Sequence, residues 1–250
     1  DALGSEYNGQ LTGTFGDLTA ESLGGTEILV AKAQSSGEWS WVTTGGGISN
    51  DRANAISSGV DGSIFITGQI ENDANFGPTS TTGYDLDTFV GAIGPSGNWN
   101  WIQRFSGNQD DGGYCITVID GDVISGGDHW GDLELGETEL LGGGGYITSM
   151  NASTGSVNWL VGAEGTPNAM ASDDLGYLYV AGYYSGAELF GDQILTSEGS
   201  QDVFLGKIHT EGENESNWIW AISAGSDEWD TVGDIAVNDV GQIVLIGTYG

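Results

Sequence analysis

The residues best suited to chemistry in this 250-residue sequence are aspartates that recur at one position of a repeat. Asp51, Asp111 and Asp230 each stand ten residues beyond a tryptophan, with Asp110 and Asp227 close by. Calcium takes about six to eight oxygen ligands, so carboxylates gathered on turns suggest calcium sites. The competing interpretation is that each aspartate accepts backbone N–H groups of its own turn. The absence of EF-hand spacing favours this second interpretation, and no motif requires a cofactor.

Two tryptophans lie outside the repeat and are candidates for ligand binding. Trp130 follows His129 in GGDHWGD, and Trp229 lies among carboxylates in SDEWD. An aromatic ring beside polar groups can stack on a sugar ring, which makes extracellular glycans candidate ligands. The simpler alternative is that each amphipathic ring covers a loop.

Catalytic motifs are scarce. His129 and His209 are the only imidazoles, neither adjoins a nucleophile motif, and the GxSxG pattern is absent. Clusters of His and Cys with metal-ligand spacing are absent from the sequence too. We therefore predict that the chain is not an enzyme. A polysaccharide-active enzyme remains the alternative, because two of the 36 acidic residues can converge as paired carboxylates.

Charge limits the partners. Four Lys plus Arg against 36 Asp plus Glu give a formal net charge of −32, which repels phosphate backbones and anionic lipid headgroups. No apolar run approaches the roughly 20 residues that span a bilayer. Nucleic acid and membrane insertion are therefore not expected. Cys115 is the single cysteine, so the fold must be held by packing rather than by an internal disulfide.

Weak signals point to secretion. The sequence begins at Asp1 without a methionine, as a trimmed fragment or a chain with its signal peptide removed would. Asn151 and Asn214 begin N-x-S glycosylation patterns, both at expected turns. These features predict a secreted or cell-surface location.

A repeat organises the chain around a glycine and a tryptophan four residues later, as in Gly37 and Trp41. The tryptophan recurs at intervals of 60, 58 and 61 residues, at Trp41, Trp101, Trp159 and Trp220. Self-similarity at a fixed period indicates one supersecondary unit copied along a single domain.

Each unit shows four strand-like segments and no capped helical pattern. In the first complete unit these segments are residues 53–60, residues 63–68, TFVGAI and WNWIQRF. Trp99 and Trp101 in the last segment are two residues apart, which predicts that both side chains project from one face of the strand. Four short strands per repeat are typical of propeller blades. We predict an all-β propeller with repeats at roughly 1–50, 51–110, 111–168 and 169–229. Residues 230–250 then complete the first blade, closing a ring through both termini, or open a further blade of a longer array.

The run from GYYSGAELFGDQILTSEG to VGQIVLIG resembles the secreted bacterial and archaeal β-propeller repeats of the SBBP type, and the likeness extends over all four copies. The third copy departs from this family pattern, with Tyr146, Met150 and Ala169 in place of the usual acidic, lysine and aspartate positions. The resemblance implies a secreted or surface-displayed propeller without a common catalytic site. It favours a non-catalytic scaffold, adhesion or protein-interaction module that binds other proteins or copies of itself, with a lectin-like propeller as the alternative.

Overall fold

The computed structural model describes residues 12–210 and 218–250, and this part of the chain is all-β, as the repeat predicts. In chain order the strands are β1 (Thr12–Phe15), β2 (Leu18–Glu21), β3 (Ile28–Ala33), β4 (Trp39–Gly47), β5 (Arg52–Ser58), β6 (Ile64–Glu71), β7 (Ala74–Phe76), β8 (Thr79–Thr81), β9 (Leu86–Ile93), β10 (Trp99–Arg104), β11 (Ser106–Gly107), β12 (Asp111–Ile119), β13 (Asp122–His129), β14 (Leu133–Leu135), β15 (Thr138–Leu140), β16 (Gly144–Asn151), β17 (Val157–Ala163), β18 (Thr166–Ser172), β19 (Tyr177–Tyr184), β20 (Ala187–Phe190), β21 (Gln193–Thr196), β22 (Asp202–His209), β23 (Trp218–Ala224), β24 (Thr231–Val237) and β25 (Ile243–Thr248). The described residues contain no helix that would cross a lipid bilayer.

Three complete units are four-stranded antiparallel sheets, with strand orders β5-β6-β9-β10, β12-β13-β16-β17 and β18-β19-β22-β23. We call them the second, third and fourth units. The first unit is represented by its third and fourth strands, β3 and β4, and a fifth by its first two strands, β24 and β25. The predicted boundary between residues 168 and 169 falls inside β18, so the fourth unit begins earlier, at Thr166.

The hydrophobic core lies between consecutive units rather than at one centre. The first strands β5, β12, β18 and β24 lie side by side in that order. One buried cluster joins Phe65 and Trp101 of the second unit to Val123 and Tyr146 of the third, and similar clusters occupy the other described boundaries. Cys115 is buried in the next cluster, as expected of a small apolar side chain. Stability therefore depends on contacts from one unit to the next.

The repeated glycine and tryptophan form a contact across the first two of these boundaries, from the first unit to the second and from the second to the third. Trp41 donates its indole N–H to the carbonyl of Pro95 at 2.9 Å, and Trp101 donates to Ala152 at 3.0 Å. A Cβ at Gly97 would lie 2.8 Å from the Trp41 ring, and one at Gly155 would lie 2.6 Å from the Trp101 ring. Each tryptophan thus covers the glycine turn of the following unit, where a larger residue would collide.

The two tryptophans of the WxW motif do not project from one face, and that prediction is wrong. Trp99 pairs with Ile93 and Trp101 with Ala92, so two steps along β10 oppose one step along β9. This bulge turns the side chains to opposite sides. Trp99 donates to the carbonyl of Thr44 in the first unit, whereas Trp101 contacts the third unit.

No closed propeller is present in the described residues. β25 pairs only with β24, and β3 pairs only with β4. The side chains of Leu29 on β3 and of Val244 and Ile246 on β25 are exposed. Both ends of the array therefore present an unpaired strand edge with apolar side chains.

Candidate functional site

One rim of the molecule carries a pair of equivalent acidic positions at each boundary between units. The first position starts the third strand of one unit and is occupied by Glu27, Asp87 and Asp202. The second precedes the first strand of the following unit and is occupied by Asp51, Asp111 and Asp230. We number the boundaries as junctions one to four along the chain. Acids hold both positions at junctions one, two and four.

At junctions one and four the acids serve the backbone. Asp51 accepts hydrogen bonds from the amides of Gly47 (2.7 Å) and Glu71 (3.0 Å). Asp230 accepts the equivalent bonds from Ser226 (2.7 Å) and Gly250 (3.1 Å). Each carboxylate thereby ties three chain segments together. This geometry is the backbone-capping alternative that the sequence left open beside calcium binding.

Junction two is built differently. Asp87 forms a buried salt bridge with Arg104. The side chain of Asp111 is 1% exposed, and neither of its oxygens has a hydrogen-bond partner in the described residues. The amide of Trp130 donates to the carbonyl of Asp110 at 3.3 Å and, being close to the Asp111 carboxyl group as well, offsets only part of the rise in its pKa. Burial, reinforced by the carboxylate of Asp87, raises the pKa of Asp111 to about 7, so this acid is largely protonated at pH 6.

Junction three has lost both acids. The strand registers place Gly144 at the first position and Gly165 at the second. Ala169, which the ten-residue spacing matched to the aspartates, lies inside β18 and is paired with Ala181. The spacing fails because β17 and β18 are joined by only two residues, Glu164 and Gly165. The residue that replaces the aspartate is therefore Gly165.

A cavity of about 780 Å³ opens at this junction. Two residues predicted to bind ligand line it together: Trp130, whose side chain is 70% exposed, and His129, which is 5% exposed. No sequence pattern pointed to the other lining side chains, among them Asp128, Glu164, Tyr183 and Glu188. These residues are far apart along the chain, and they come together only because β13, β16, β17 and β19 meet at this junction.

Hydrogen bonds fix several groups of this cavity. Nδ1 of His129 lies 2.7 Å from the carbonyl of Gly131, so Nδ1 carries the proton in the neutral ring. Asp128 accepts from the Tyr114 hydroxyl at 2.8 Å, and Glu164 accepts from the Trp218 indole at 2.9 Å. Burial raises the pKa of Asp128, which the Tyr114 hydrogen bond partly offsets. The cavity is thus a preformed set of acceptors beside an exposed indole ring.

The remaining candidate residues lie elsewhere. Trp229 is 63% exposed and does not line the cavity, although its backbone bridges to Gln201, which does. Asp110 and Asp227 are exposed. Asn151 is the last residue of β16, and its side chain accepts from the amides of Ser153 and Thr154 in the turn that follows. Asn214 lies outside the described residues. In residues 12–210 and 218–250 no three metal-ligating side chains gather in a way that would hold an ion.

Comparison with known proteins gives one informative similarity. No family model matches the chain. Over an alignment of 257 residues the chain is 24% identical to the regulatory protein FlaEY of Caulobacter vibrioides. The alignment covers 92% of this chain and 26% of that protein, so the chain spans about a quarter of the length of this relative.

Proposed function

We propose that the chain is a non-catalytic β-propeller module, secreted or displayed on a cell surface, that acts as a scaffold, adhesion or protein-interaction unit. The observation that carries this proposal is the contact between units: Trp41 and Trp101 each cover the next glycine turn, and among the described strands β3 and β25 each keep an unpaired edge. Such surfaces suit binding to further propeller repeats, to other proteins or to copies of the chain. The similarity to a protein named as regulatory is compatible with a role exerted by binding.

A four-bladed ring is part of this proposal. β24 and β25 correspond to the first and second strands of a unit, and β3 and β4 correspond to the third and fourth. Together they supply one complete blade, and joining β25 to β3 would remove both unpaired edges. The joining strand comes from the same chain in a closed ring, or from a neighbouring repeat or copy in an array.

Paired cysteines test how the last blade is completed. In the fourth unit Val180 faces Gly206, and the equivalent positions on the separate strands are Leu245 and Ala31. We expect oxidation of a Leu245→Cys, Ala31→Cys, Cys115→Ser variant to give a disulfide within one chain, which mass spectrometry and non-reducing electrophoresis detect. Disulfide-linked dimers would show completion by a second copy. Absence of any disulfide would count against both forms of the proposal.

Location and activity test the functional part. Antibody binding and protease digestion on intact cells that produce the parent protein should detect and cleave this region without lysis. A region that is protected until lysis would overturn the surface role. Turnover on a polysaccharide panel that is abolished by changing one pair of acids would instead make the protein a polysaccharide-active enzyme.

A further inference from the structure

The cavity at junction three lacks any positive side chain. None of its described lining residues is Lys or Arg, and it contains the carboxyl groups of Asp128, Glu164 and Glu188. A protein with a net charge of −32 surrounds it. Anionic ligands such as phosphates and acidic sugars are therefore repelled. The ligand must be neutral or cationic.

His129 offers a hydrogen-bond acceptor, its Nε2 atom, at the cavity. Because Nδ1 donates to Gly131, the lone pair of the neutral ring is on Nε2. Nε2 lies 3.9 Å from the position that a Cβ of Gly144 would occupy. At the other junctions an acidic side chain begins at this position, whereas here the space is open. The His129 side chain is held in place by its burial and by the bond to Gly131, so its Nε2 presents an acceptor of fixed orientation to a ligand hydroxyl.

The other polar groups favour a neutral ligand over a cation. Asp128 and Glu164 already accept hydrogen bonds from Tyr114 and Trp218, which offset part of their charge and fix their orientation. The carboxyl group of Asp128, with the hydroxyls of Thr166 and Tyr183 on the cavity wall, suits a ligand that carries several hydroxyl groups. Trp130 adds a flat apolar surface that the C–H face of a pyranose can cover.

We propose that the cavity at junction three binds a neutral saccharide. One sugar ring stacks on Trp130, one hydroxyl donates to Nε2 of His129, and another donates to Asp128. The cavity of about 780 Å³ lies within the range of roughly 300–1,000 Å³ usual for small-molecule sites, which leaves room for a short oligosaccharide. Trp229 takes no part. This inference is independent of the scaffold role.

Titration calorimetry with chitotriose, cellotriose, maltotriose and mannotriose tests the site. We expect at least one of them to bind, with an affinity that changes little between low and high NaCl because the ligand is neutral. Trp130→Ala and His129→Phe should each weaken binding at least about tenfold. Trp229→Ala is the matched control, an equally exposed tryptophan outside the cavity, and should bind as the wild type does.

Gly144→Leu gives a second variant that does not depend on removing a polar group. A Cβ meets no atom closer than 3.9 Å there, so the side chain can enter the cavity, and we expect a folded protein that does not bind. Failure of all four sugars to bind would overturn the proposal. So would an equal loss in Trp229→Ala, or salt-sensitive binding of tetralysine that displaces the sugar and needs the same residues.

Discussion

Junctions two and three differ in the residues that occupy the two equivalent positions on the rim. At junction two both acidic positions are kept, and the carboxyl group of Asp111 is buried without a hydrogen-bond partner beside Asp87 and Arg104. At junction three glycine holds both positions and a cavity replaces the acids. The repeat therefore separates two arrangements: where the acids remain, the cavities described beside them hold no more than about 360 Å³, and where both acids are absent a cavity of about 780 Å³ opens.

The difference also shows what holds the units together. Apolar clusters extend across both junctions, so neither the acids nor their loss decides whether neighbouring units pack. The first strands that lie side by side supply contact at both junctions, and at junction two Trp101 adds its cover over the Gly155 turn. The rim is thus free to vary while the core between the units is maintained.

The largest expected effect is a loss of stability when Trp101, which packs across junction two, is replaced by alanine. Its ring is buried, covers Gly155 and donates to Ala152, so Trp101→Ala removes a large side chain from the core. We expect the free energy of unfolding to fall by about 3–5 kcal/mol. Denaturant unfolding measures the change. A loss below about 1 kcal/mol would show that the ring contributes little to the junction.

Trp130→Ala is the matched control at junction three. The Trp130 side chain is exposed at the cavity, so its removal should change the free energy of unfolding by no more than about 0.5 kcal/mol. An equal loss in the two variants would mean that Trp130 is a packing residue, which would contradict its assignment to a binding site.

The next effect is a pH dependence confined to junction two. The native pKa of Asp111, about 7, lies above the ordinary value of 3.8. The folded protein is therefore most stable below pH about 4, where Asp111 is protonated in both the folded and the unfolded chain. It loses stability as the pH rises from there through about 7. Each pKa unit corresponds to about 1.4 kcal/mol, which gives about 4 kcal/mol at most. We expect Asp111→Asn to raise the melting temperature at pH 8 by several degrees and at pH 5 by only about a third as much, because the penalty for ionising Asp111 grows steadily between pH 4 and pH 7.

Asp230→Asn separates this effect from a general one. Both oxygens of Asp230 accept backbone hydrogen bonds, and an amide offers only one acceptor oxygen. The variant should therefore be less stable than the wild type at both pH values. Parallel melting curves for the wild type and Asp111→Asn from pH 5 to pH 8 would refute the assignment of the titration to Asp111.

The sequence predicted the all-β class, the four strands per unit and the order of units, because these follow from glycine, aromatic and β-branched periodicity. It misplaced the second acidic position at junction three, since counting from Trp159 cannot detect the shortened connection between β17 and β18. It also missed the bulge in β10, because a local insertion in pairing leaves no mark in i, i+2 spacing. Trp130 and His129 were identifiable as residues outside the repeat, whereas Glu164 and Tyr183 join them only through the fold.

A smaller effect distinguishes the two glycines of junction three. Gly165 has a φ of +72°, and a Cβ there would lie 2.6 Å from the carbonyl oxygen of Tyr183, whereas a Cβ at Gly144 meets only His129 at 3.9 Å. We expect Gly165→Ala to cost roughly 1–3 kcal/mol and Gly144→Ala to cost no more than about 0.5 kcal/mol. Thermal unfolding measures both. Equal costs would indicate that the backbone restricts both positions to glycine in the same way.

The smallest expected effect concerns cations, and it compares all four junctions at once. Asp51 and Asp230 already accept backbone hydrogen bonds, and junction three has no acid at either position, so we expect no calcium-specific stabilisation there. A net charge of −32 should still make the fold more stable as salt screens its self-repulsion, by a similar amount for NaCl and CaCl2 at matched ionic strength. Melting curves in the two salts test this.

Specific binding would add RT ln(1 + [L]/Kd) to the free energy of unfolding in calcium alone. Because Asp111 is the repeated aspartate with unpartnered oxygens in the described chain, such a term should vanish in Asp111→Asn if it arises at junction two. A calcium-specific rise that persists in Asp111→Asn and disappears in Asp51→Ala or Asp230→Ala would show that the backbone-capping carboxylates bind the ion after all.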